Sequence, residues 1–421
     1  MTQANPDMTS VGLLRPIAAV VLVALMVPGC AIRTSSSKPI VIGYVAARSG
    51  FGAVGDVDAV DGARYEVQRL KSSGIAGHPI KLIVEDIGAD PSASGPAAQR
   101  LIAQGASILL GPPFPDTARG AVQVAADAHV PILSVTSTQP SFIGGHDGEA
   151  FLGAFGDNAQ GAAAAEEAYA EGKRRAFTIT SPDVTEYTDA VPAYFQDAFD
   201  HAGGRRVGTV DIHLDQPGFD TAAQAVVTTS PPPDVVFTTT FPPDLAPLLH
   251  TLRAAGYHGA VFSSDASDNN GVFAGDPSDA EGLVVTTHGY PEAPRSGLLF
   301  SPRTPAGSVA DFEQGFIRFT GHRPNSVGLA ALGADAIDII KTAAEAGDSI
   351  QPASLAHQIA LLERADVTTG RITYRGTHGV PKKVVYLARV EDGRFRLIRA
   401  MEPTYIPPVR PGGDTKSRSG S

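Results

Sequence analysis

A glycine-rich segment early in the sequence has the spacing of a phosphate-binding loop. Gly50-Phe-Gly-Ala-Val-Gly55 fits Gly-x-Gly-x-x-Gly between a predicted strand and a predicted helix, where such a loop could hold a dinucleotide. That fingerprint also requires an acidic residue about 20 residues further along. The nearest acidic residues at a strand end, Glu85 and Asp86, lie well beyond this distance. We therefore interpret the glycines as a flexible loop and expect no cofactor.

The other reactive side chains do not form a familiar catalytic or metal-binding motif. The sequence has no Walker A, His-Glu-x-x-His, Gly-x-Ser-x-Gly or Cys-x-x-Cys pattern, and its 11 histidines are scattered without the spacing of metal ligands. We expect no metal site. Serine, histidine and aspartate are all present, so an exported enzyme stays open as an alternative that no motif supports.

The single cysteine follows an apolar segment near the N-terminus. Residues 17–27 are uncharged and apolar, Arg15 precedes them, and the order is typical of a secretory signal peptide. Val27-Pro-Gly-Cys30 resembles the bacterial lipobox, in which the cysteine is acylated, although the proline is unusual there. The run is shorter than the about 20 residues that span a bilayer. We predict removal of residues 1–29 and an extracytoplasmic domain that is lipid-anchored through Cys30; cleavage without acylation is the alternative.

The composition is that of a folded, acidic protein. Hydrophobic residues make up 43% and charged residues 18%, with a net charge of −11, a charge that disfavours nucleic acid and anionic lipid as partners. The 421 residues suffice for two domains with sizeable cores. Residues 30–38 have the character of a polar tether, and 402–421 have little to bury, so we expect a disordered tail there. The folded part should span about 39–401.

Between these ends, short apolar runs alternate with segments of helical periodicity. The predicted strands are Ile40–Val45, Ile80–Val84, Ser107–Leu110, Pro131–Val135, Ala176–Thr180, Val207–Ile212, Asp234–Thr238, Gly259–Ser263, Leu283–Thr287, Lys383–Leu387 and Phe395–Ile398. Because helical segments separate most of these strands, we predict an α/β fold with two doubly wound parallel sheets.

Four groups of residues, in this order, make the sequence similar to type I periplasmic binding proteins of the leucine/isoleucine/valine-binding group. They are Ile42-Gly-Tyr44 with Ser49-Gly50 and Asp61-Gly-Ala63; Gly74–Gly77 with Ile80–Asp86; Leu109–Gly111 with Val130–Thr138; and Leu252–Gly256 with Phe262–Asp265. The resemblance covers about 39–400. It implies two lobes, joined by three crossovers, that close on a ligand. Lobe 1 would comprise 39–156 and 286–380, and lobe 2 would comprise 157–285 and 381–401.

The resemblance also assigns residues to the ligand. Ser137 and Thr138 fall on the loop that holds an amino-acid carboxylate, and Asp265 falls where an acidic residue meets the ligand ammonium. Tyr187 matches an aromatic residue that lines the cleft, and Phe241 stands where relatives often have tyrosine. The alternatives are an ordinary polar loop at Ser137 and Thr138, and a helix N-cap at Asp265.

The loop after the third predicted strand departs from the family pattern. Relatives tend to have a carboxylate-binding serine near Pro115, and proline offers neither a hydroxyl nor an N–H. Asp116 adds negative charge at a helix N-terminus. Arg48 could pair with a carboxylate instead, although a solvated loop arginine is an equal alternative. Because Phe51 and Phe114 add apolar area, we expect a small, partly apolar ligand: an amino acid, an amide or a related amine.

Together these features predict an extracytoplasmic solute receptor that delivers its ligand to an ABC permease. Its work would be ligand binding coupled to lobe closure, without catalysis. A ligand-sensing receptor or regulator with the same fold is the alternative, because the fold does not decide between transport and sensing.

Overall fold

The computed structural model describes residues 37–409, except Phe51, Ala89, Asp215, Pro217 and 292–307. Of the sites predicted above, Cys30 and Phe51 therefore lie outside the described residues. None of the helices in this part of the chain combines the length and the apolar character that crossing a membrane requires.

The first segment of the chain forms a five-stranded parallel sheet, the centre of lobe 1. Its strands are β1 (Ile40–Ala46), β2 (Ile80–Asp86), β3 (Ile108–Leu110), β4 (Ile132–Ser134) and β5 (Ala150–Leu152), in the order β2-β1-β3-β4-β5. Strand β1 is buried on both faces, because Ile40, Ile42 and Tyr44 enter one core while Val41 and Val45 enter the other. Such a strand needs apolar residues at nearly every position, which is what its sequence supplies. The connecting helices are α1 (Ala53–Arg69), α2 (Ser94–Ala103) and α3 (Pro115–Asp127).

The chain then enters lobe 2 and repeats the alternation of helix and strand. The helices are α4 (Asp157–Ala170), α5 (Ala190–His201), α6 (Asp220–Thr228) and α7 (Pro242–Ala254). The strands are β6 (Arg175–Thr180), β7 (Arg205–Asp211), β8 (Val235–Thr238), β9 (Ala260–Ser263) and β10 (Val284–Thr287), and each pairs in parallel with its neighbours among them. Both faces of this sheet are covered by apolar cores.

The return to lobe 1 brings helices against the outside of its first segment. These are α8 (Ser308–Thr320), α9 (Val327–Gly347) and α10 (Pro352–Leu361). Helices α1 and α9 meet backbone to backbone: a Cβ added at Gly62 would lie 1.9 Å from the carbonyl oxygen of Ala330, and one added at Gly333 would lie 1.9 Å from that of Ala59. Only glycine allows this approach. The contact joins the two segments of lobe 1 that are distant in sequence.

The last part of the chain makes a small sheet and then completes lobe 2. The small sheet holds β11 (Ala365–Val367), β12 (Gly370–Thr373) and β13 (Lys382–Lys383) in antiparallel pairs. Strands β14 (Val385–Glu391) and β15 (Arg394–Met401) form a hairpin at the edge of the lobe 2 sheet, whose order is β15-β14-β10-β9-β8-β6-β7. The predicted strand from Lys383 to Leu387 is thus divided between two sheets.

The predicted fold class, two doubly wound sheets in two lobes, is confirmed, with differences in the short elements. Strand β5 and the strands β11 and β12 of the small sheet were not predicted; each has only three or four residues. The ordered chain also extends past position 401, where we expected disorder. Backbone N–H groups of Thr404 and Tyr405 donate to the Glu166 carboxylate, the ring of Tyr405 stacks on His201, and Asn158 donates to the carbonyl of Pro407. These contacts attach 402–409 to lobe 2, although only Pro407 in this segment is buried.

Candidate ligand-binding cleft

The carboxyl ends of the parallel strands of both lobes face a shared cleft, the usual place for a ligand in open α/β sheets. A cavity of about 40 Å³ lies there. Lobe 1 lines it with residues that include Phe114 and Thr138, and lobe 2 lines it with Tyr187, Phe241 and Asp265. Ligand pockets have volumes of roughly 300–1,000 Å³, so the cleft in this arrangement of the lobes is narrower than such a pocket.

Three aromatic rings close the cleft from both sides. Phe114 stands at the start of α3 in lobe 1, and its ring centroid lies 6.5 Å from that of Tyr187 and 6.4 Å from that of Phe241. The Tyr187 and Phe241 centroids, both in lobe 2, are 5.7 Å apart. Edge-to-face contacts in this range stabilise by about 0.5–1.5 kcal/mol per pair beyond the area that they bury. Any ligand between the lobes would meet this apolar wall.

Asp265 is the charged group of the cleft. It follows β9, is 4% exposed, and accepts a hydrogen bond from the Tyr187 hydroxyl at 2.5 Å on Oδ1. Its Oδ2 lies 2.9 Å from Nε2 of His288, and its backbone N–H donates to the Gln160 side chain at 3.1 Å. Burial alone would raise the pKa of Asp265, but its hydrogen bonds, first that with His288 and then that from Tyr187, hold that pKa below its ordinary value. The carboxylate is therefore ionised.

His288 stands directly behind Asp265, and the sequence analysis did not single it out. It follows β10, is 1% exposed, and stacks on Phe155 with ring centroids 4.0 Å apart. Its Nδ1 is buried without a hydrogen-bond partner among the described residues. Burial lowers the pKa of His288, against the opposing effect of Asp265. Its position at the carboxyl end of an apolar strand, next to the strand of Asp265, was the available signal.

The start of α4 completes this buried network. Gln160 donates to Oδ1 of Asp157 at 2.7 Å, while its Oε1 accepts from the backbone of Asp265 and from the Thr286 hydroxyl. Oδ2 of Asp157 is buried without a partner among the described residues. Burial, with the nearby charge of Asp265, raises the pKa of Asp157 to about 8. At neutral pH Asp157 is therefore mostly protonated, and Asp265 carries the negative charge of the network.

A family model described as "Periplasmic binding protein" matches residues 39–394. The chain belongs to the periplasmic binding protein family. Its fold resembles that of a leucine-binding protein from Thermotoga maritima, with 21% identity, a TM-score of 0.74, and coverage of 86% of this chain and 99% of that one. No curated protein sequence matches.

Further structural relatives of this periplasmic binding protein were solved with different ligands. One is a branched-chain amino acid transporter substrate-binding protein from Streptococcus pneumoniae in complex with isoleucine (17% identity, TM-score 0.74, coverage of 87% of this chain and 100% of that one). Another is an ABC transporter solute-binding protein from R. palustris in complex with benzoate (16% identity, TM-score 0.71, coverage of 89% of this chain and 99% of that one). At these identities the likeness shows the fold.

The residues that we expected at the ligand site of this periplasmic binding protein do not all reach the cavity. Phe114, Thr138, Tyr187, Phe241 and Asp265 line it. Two others do not:

Ser137 is buried, and its hydroxyl donates to Oε1 of Gln139 at 2.7 Å. Arg48 is exposed at the end of β1, and its backbone N–H donates to Asp86 at 3.1 Å. Neither side chain is among those that line the cavity. In the described residues, moreover, no group of three or more histidine, cysteine or acidic side chains is arranged to hold a metal.

The loop that departs from the family pattern leads into α3, whose first turns contribute to a contact between the two lobes. Asp116 at the start of α3 pairs with Arg119 at 2.5 Å, which offsets its charge at the helix N-terminus. Arg119 also pairs with Glu186 of lobe 2, and the Ser141 hydroxyl of lobe 1 donates to Glu186 Oε2 at 2.7 Å. Arg119, Ser141 and Glu186 form an interlobe clasp: they connect the two lobes outside the cavity.

On the lobe 1 side of the cleft, a buried carboxyl near the start of α1 accepts hydrogen bonds from two loops. Asp56 accepts hydrogen bonds from the Thr136 hydroxyl and from the backbone N–H of Ala47, both at 2.9 Å. Burial is the main cause that raises the pKa of Asp56 to about 7. Asp56 therefore ties two cleft loops of lobe 1 together, a function that its position in a helical pattern does not reveal.

Proposed function

We propose that this protein is an extracytoplasmic receptor for a small ligand with a protonated amine and an apolar group, which it delivers to an ABC permease. The observation that carries the proposal is the ionised, buried carboxylate of Asp265 beside the aromatic wall of Phe114, Tyr187 and Phe241. An ammonium in such a cleft gains a charge-assisted hydrogen bond, and an apolar side chain gains buried contact.

Asp265 has room for a ligand as well as for its protein partners. An ionised carboxylate has about four acceptor positions, and Tyr187 and His288 use two sides of this one. Amino acids, amides and related amines all present N–H donors with an apolar group. The structural relatives solved with isoleucine and with benzoate support a small ligand with an apolar part. A carboxylate without an amine is disfavoured here, because it would meet the negative charge of Asp265.

The closed arrangement supports a transport receptor. The clasp of Arg119, Ser141 and Glu186 forms only when the lobes approach each other. A ligand that bridges the lobes would shift the population towards this closed form, which a permease could recognise. Sensing by the same closed form is the second candidate.

We also propose that Cys30 carries a lipid anchor. The apolar segment and the lipobox-like Val27–Cys30 support it. Changing Cys30→Ala should move the exported protein from the membrane fraction to the soluble fraction and abolish incorporation of labelled palmitate. Membrane retention of the variant would contradict the anchor.

The test of the receptor is a thermal-shift screen of residues 31–421 against branched amino acids, their amides, amines without a carboxylate, benzoate and NAD. A ligand at 100 times its Kd should stabilise the protein by about 2.7 kcal/mol. We expect shifts with apolar amino acids, amides or amines and none with benzoate or NAD. A shift with benzoate alone would contradict the amine. Binding of the loaded protein to a permease in membranes would then separate transport from sensing.

A further inference from the structure

Asp265, the carboxylate proposed to bind the ligand, is paired with a buried histidine, His288, that does not line the cavity. Nε2 of His288 lies 2.9 Å from Oδ2 of Asp265, both side chains are buried, and His288 is not among the residues that line the cavity. We propose that His288 is a positioning and specificity-determining residue that keeps Asp265 anionic and oriented for a ligand ammonium, and that its protonation cancels this preference. The inference rests on the proposed function, since it concerns the amine of the ligand.

The geometry favours the neutral form of His288. A carboxylate only accepts, so Nε2 carries the hydrogen that points at Asp265. Nδ1 has no acceptor among the described residues, so a second proton would bury an unpaired N–H, which is unfavourable. The stacked Phe155 ring, with centroids 4.0 Å apart, holds the imidazole in this orientation. A neutral imidazole donates one hydrogen bond and leaves the charge of Asp265 in place.

The other charged groups around His288 nearly balance. Lys383 of β13 disfavours the protonated imidazole and Asp335 of α9 favours it, but these two form a buried ion pair at 2.6 Å. Asp157 of α4 acts on Asp265 and is itself mostly protonated at neutral pH, with a pKa of about 8. Burial is therefore the main influence on the charge of His288, and Asp265 is the charged partner that opposes it.

The consequence is a link between protons and the chemical class of the ligand. At neutral pH an ammonium meets an anion whose charge is uncompensated. When His288 takes up a proton, ammonium and imidazolium compete for one carboxylate, so the amine ligand binds more weakly. A neutral amide with the same apolar group carries no charge and should bind with little change. Because burial lowers the pKa of His288, this loss occurs below the ordinary range of histidine.

The experiment measures Kd by calorimetry for L-leucine and for its uncharged analogue 4-methylpentanamide, at pH about 5 and about 7.5. For the wild type we expect leucine to bind more weakly at the lower pH, by up to about tenfold for each pH unit that lies below the pKa of His288 in the free protein. The amide should change by less than about twofold over the same range. His288→Gln keeps a side-chain N–H but cannot take up a proton. It should bind leucine with no loss at low pH.

Different outcomes separate this inference from the proposed function. Leucine binding in His288→Gln with the wild-type pH profile would overturn the role of His288 and leave the receptor intact. Failure of leucine to bind at either pH, together with no thermal shift from any amine in the screen, would overturn the amine ligand, and the inference with it. Asp157→Asn and Asp268→Asn are the matched controls, because each removes a further titrating neighbour of Asp265, with a pKa raised mainly by burial to about 8 and about 6; both variants should retain the loss at low pH. If His288→Gln does not fold, calorimetry of the wild type in two buffers of different ionisation enthalpy replaces it. Proton release on leucine binding near pH 5–6 is then expected, and its absence would overturn the proposal.

Discussion

The two walls of the cleft differ in how far the polar side chains are already hydrogen-bonded to other groups of the protein. On the lobe 1 wall, the Thr136 hydroxyl donates to Asp56 and Gln139 accepts from the Ser137 hydroxyl outside the cavity, while Phe114 presents an apolar ring. On the lobe 2 wall, Asp265 lines the cavity as an ionised carboxylate. The difference indicates that lobe 2 recognises the polar end of a ligand, while both lobes contribute apolar contact and Phe114 of lobe 1 closes over it.

The largest effect should come from removing the charge of lobe 2. Asp265→Asn keeps the shape but removes the anion, so binding of an amine ligand should weaken by about 2–5 kcal/mol. Calorimetry would measure the change, with circular dichroism to show that the fold is retained. Ser137→Ala, the matched change on lobe 1, should alter affinity by less than about 1 kcal/mol. Equal losses in the two variants would refute the division between the lobes.

Buried carboxyls make both lobes sensitive to pH. The pKa of Asp56 in lobe 1 is raised to about 7 and that of Asp157 in lobe 2 to about 8, with burial as the main cause. In the unfolded chain both titrate near 3.8. A group whose pKa is raised on folding stabilises most below its unfolded value and loses that contribution as pH rises through its folded value. Stability should therefore fall between about pH 4 and 8, by up to a few kcal/mol.

The measurement is the free energy of unfolding in urea at several pH values. Asp56→Asn should flatten the profile, because asparagine imitates the neutral carboxyl: its carbonyl can accept from Ala47 and its amide can donate to the Thr136 hydroxyl. Asp157→Asn should flatten it towards higher pH. A wild-type stability that rises from pH 5 to 8 would show that these carboxyls are ionised in the folded protein.

The apolar contribution of lobe 1 can be tested at Phe114. Phe114→Ala removes the ring that meets Tyr187 and Phe241 across the cleft, and should weaken ligand binding by about 1–3 kcal/mol. The loss should be similar for a charged amine and for a neutral amide, in contrast to the selective loss in Asp265→Asn. Phe114→Leu, which keeps apolar bulk, serves as the control. A loss confined to the amine would contradict an apolar role.

The smallest effect should come from the interlobe clasp. Glu186→Gln weakens the pair with Arg119 but still allows the Ser141 hydroxyl to donate, so affinity should fall by less than about 1 kcal/mol, since Arg119 is largely exposed. The salt dependence of Kd should decrease with it. Glu85→Gln, which breaks a pair with Arg100 at 2.9 Å within lobe 1, should change neither. Equal salt dependence in wild type and Glu186→Gln would exclude a part for the clasp in closure.

The sequence determined the architecture through local patterns. Apolar runs such as Ile40–Val45 and Asp234–Thr238 became central strands because strands covered on both faces have to be apolar throughout. Residues directly after such strands, including Phe241 and Asp265, reached the cleft because parallel strands end at one edge of a sheet. Both inferences need only the order of residues along the chain.

Only the tertiary structure decided what those cleft residues touch. The pairing of Asp265 with His288, and the stacking of Phe155 on that ring, join segments whose distance depends on strand order and on the entry of the chain into lobe 2. The contact of Phe114 with Tyr187 depends on closure of the lobes. Hydrogen bonds and ring contacts act over a few ångströms, so they follow from the packing of whole elements and leave no period or spacing in the sequence.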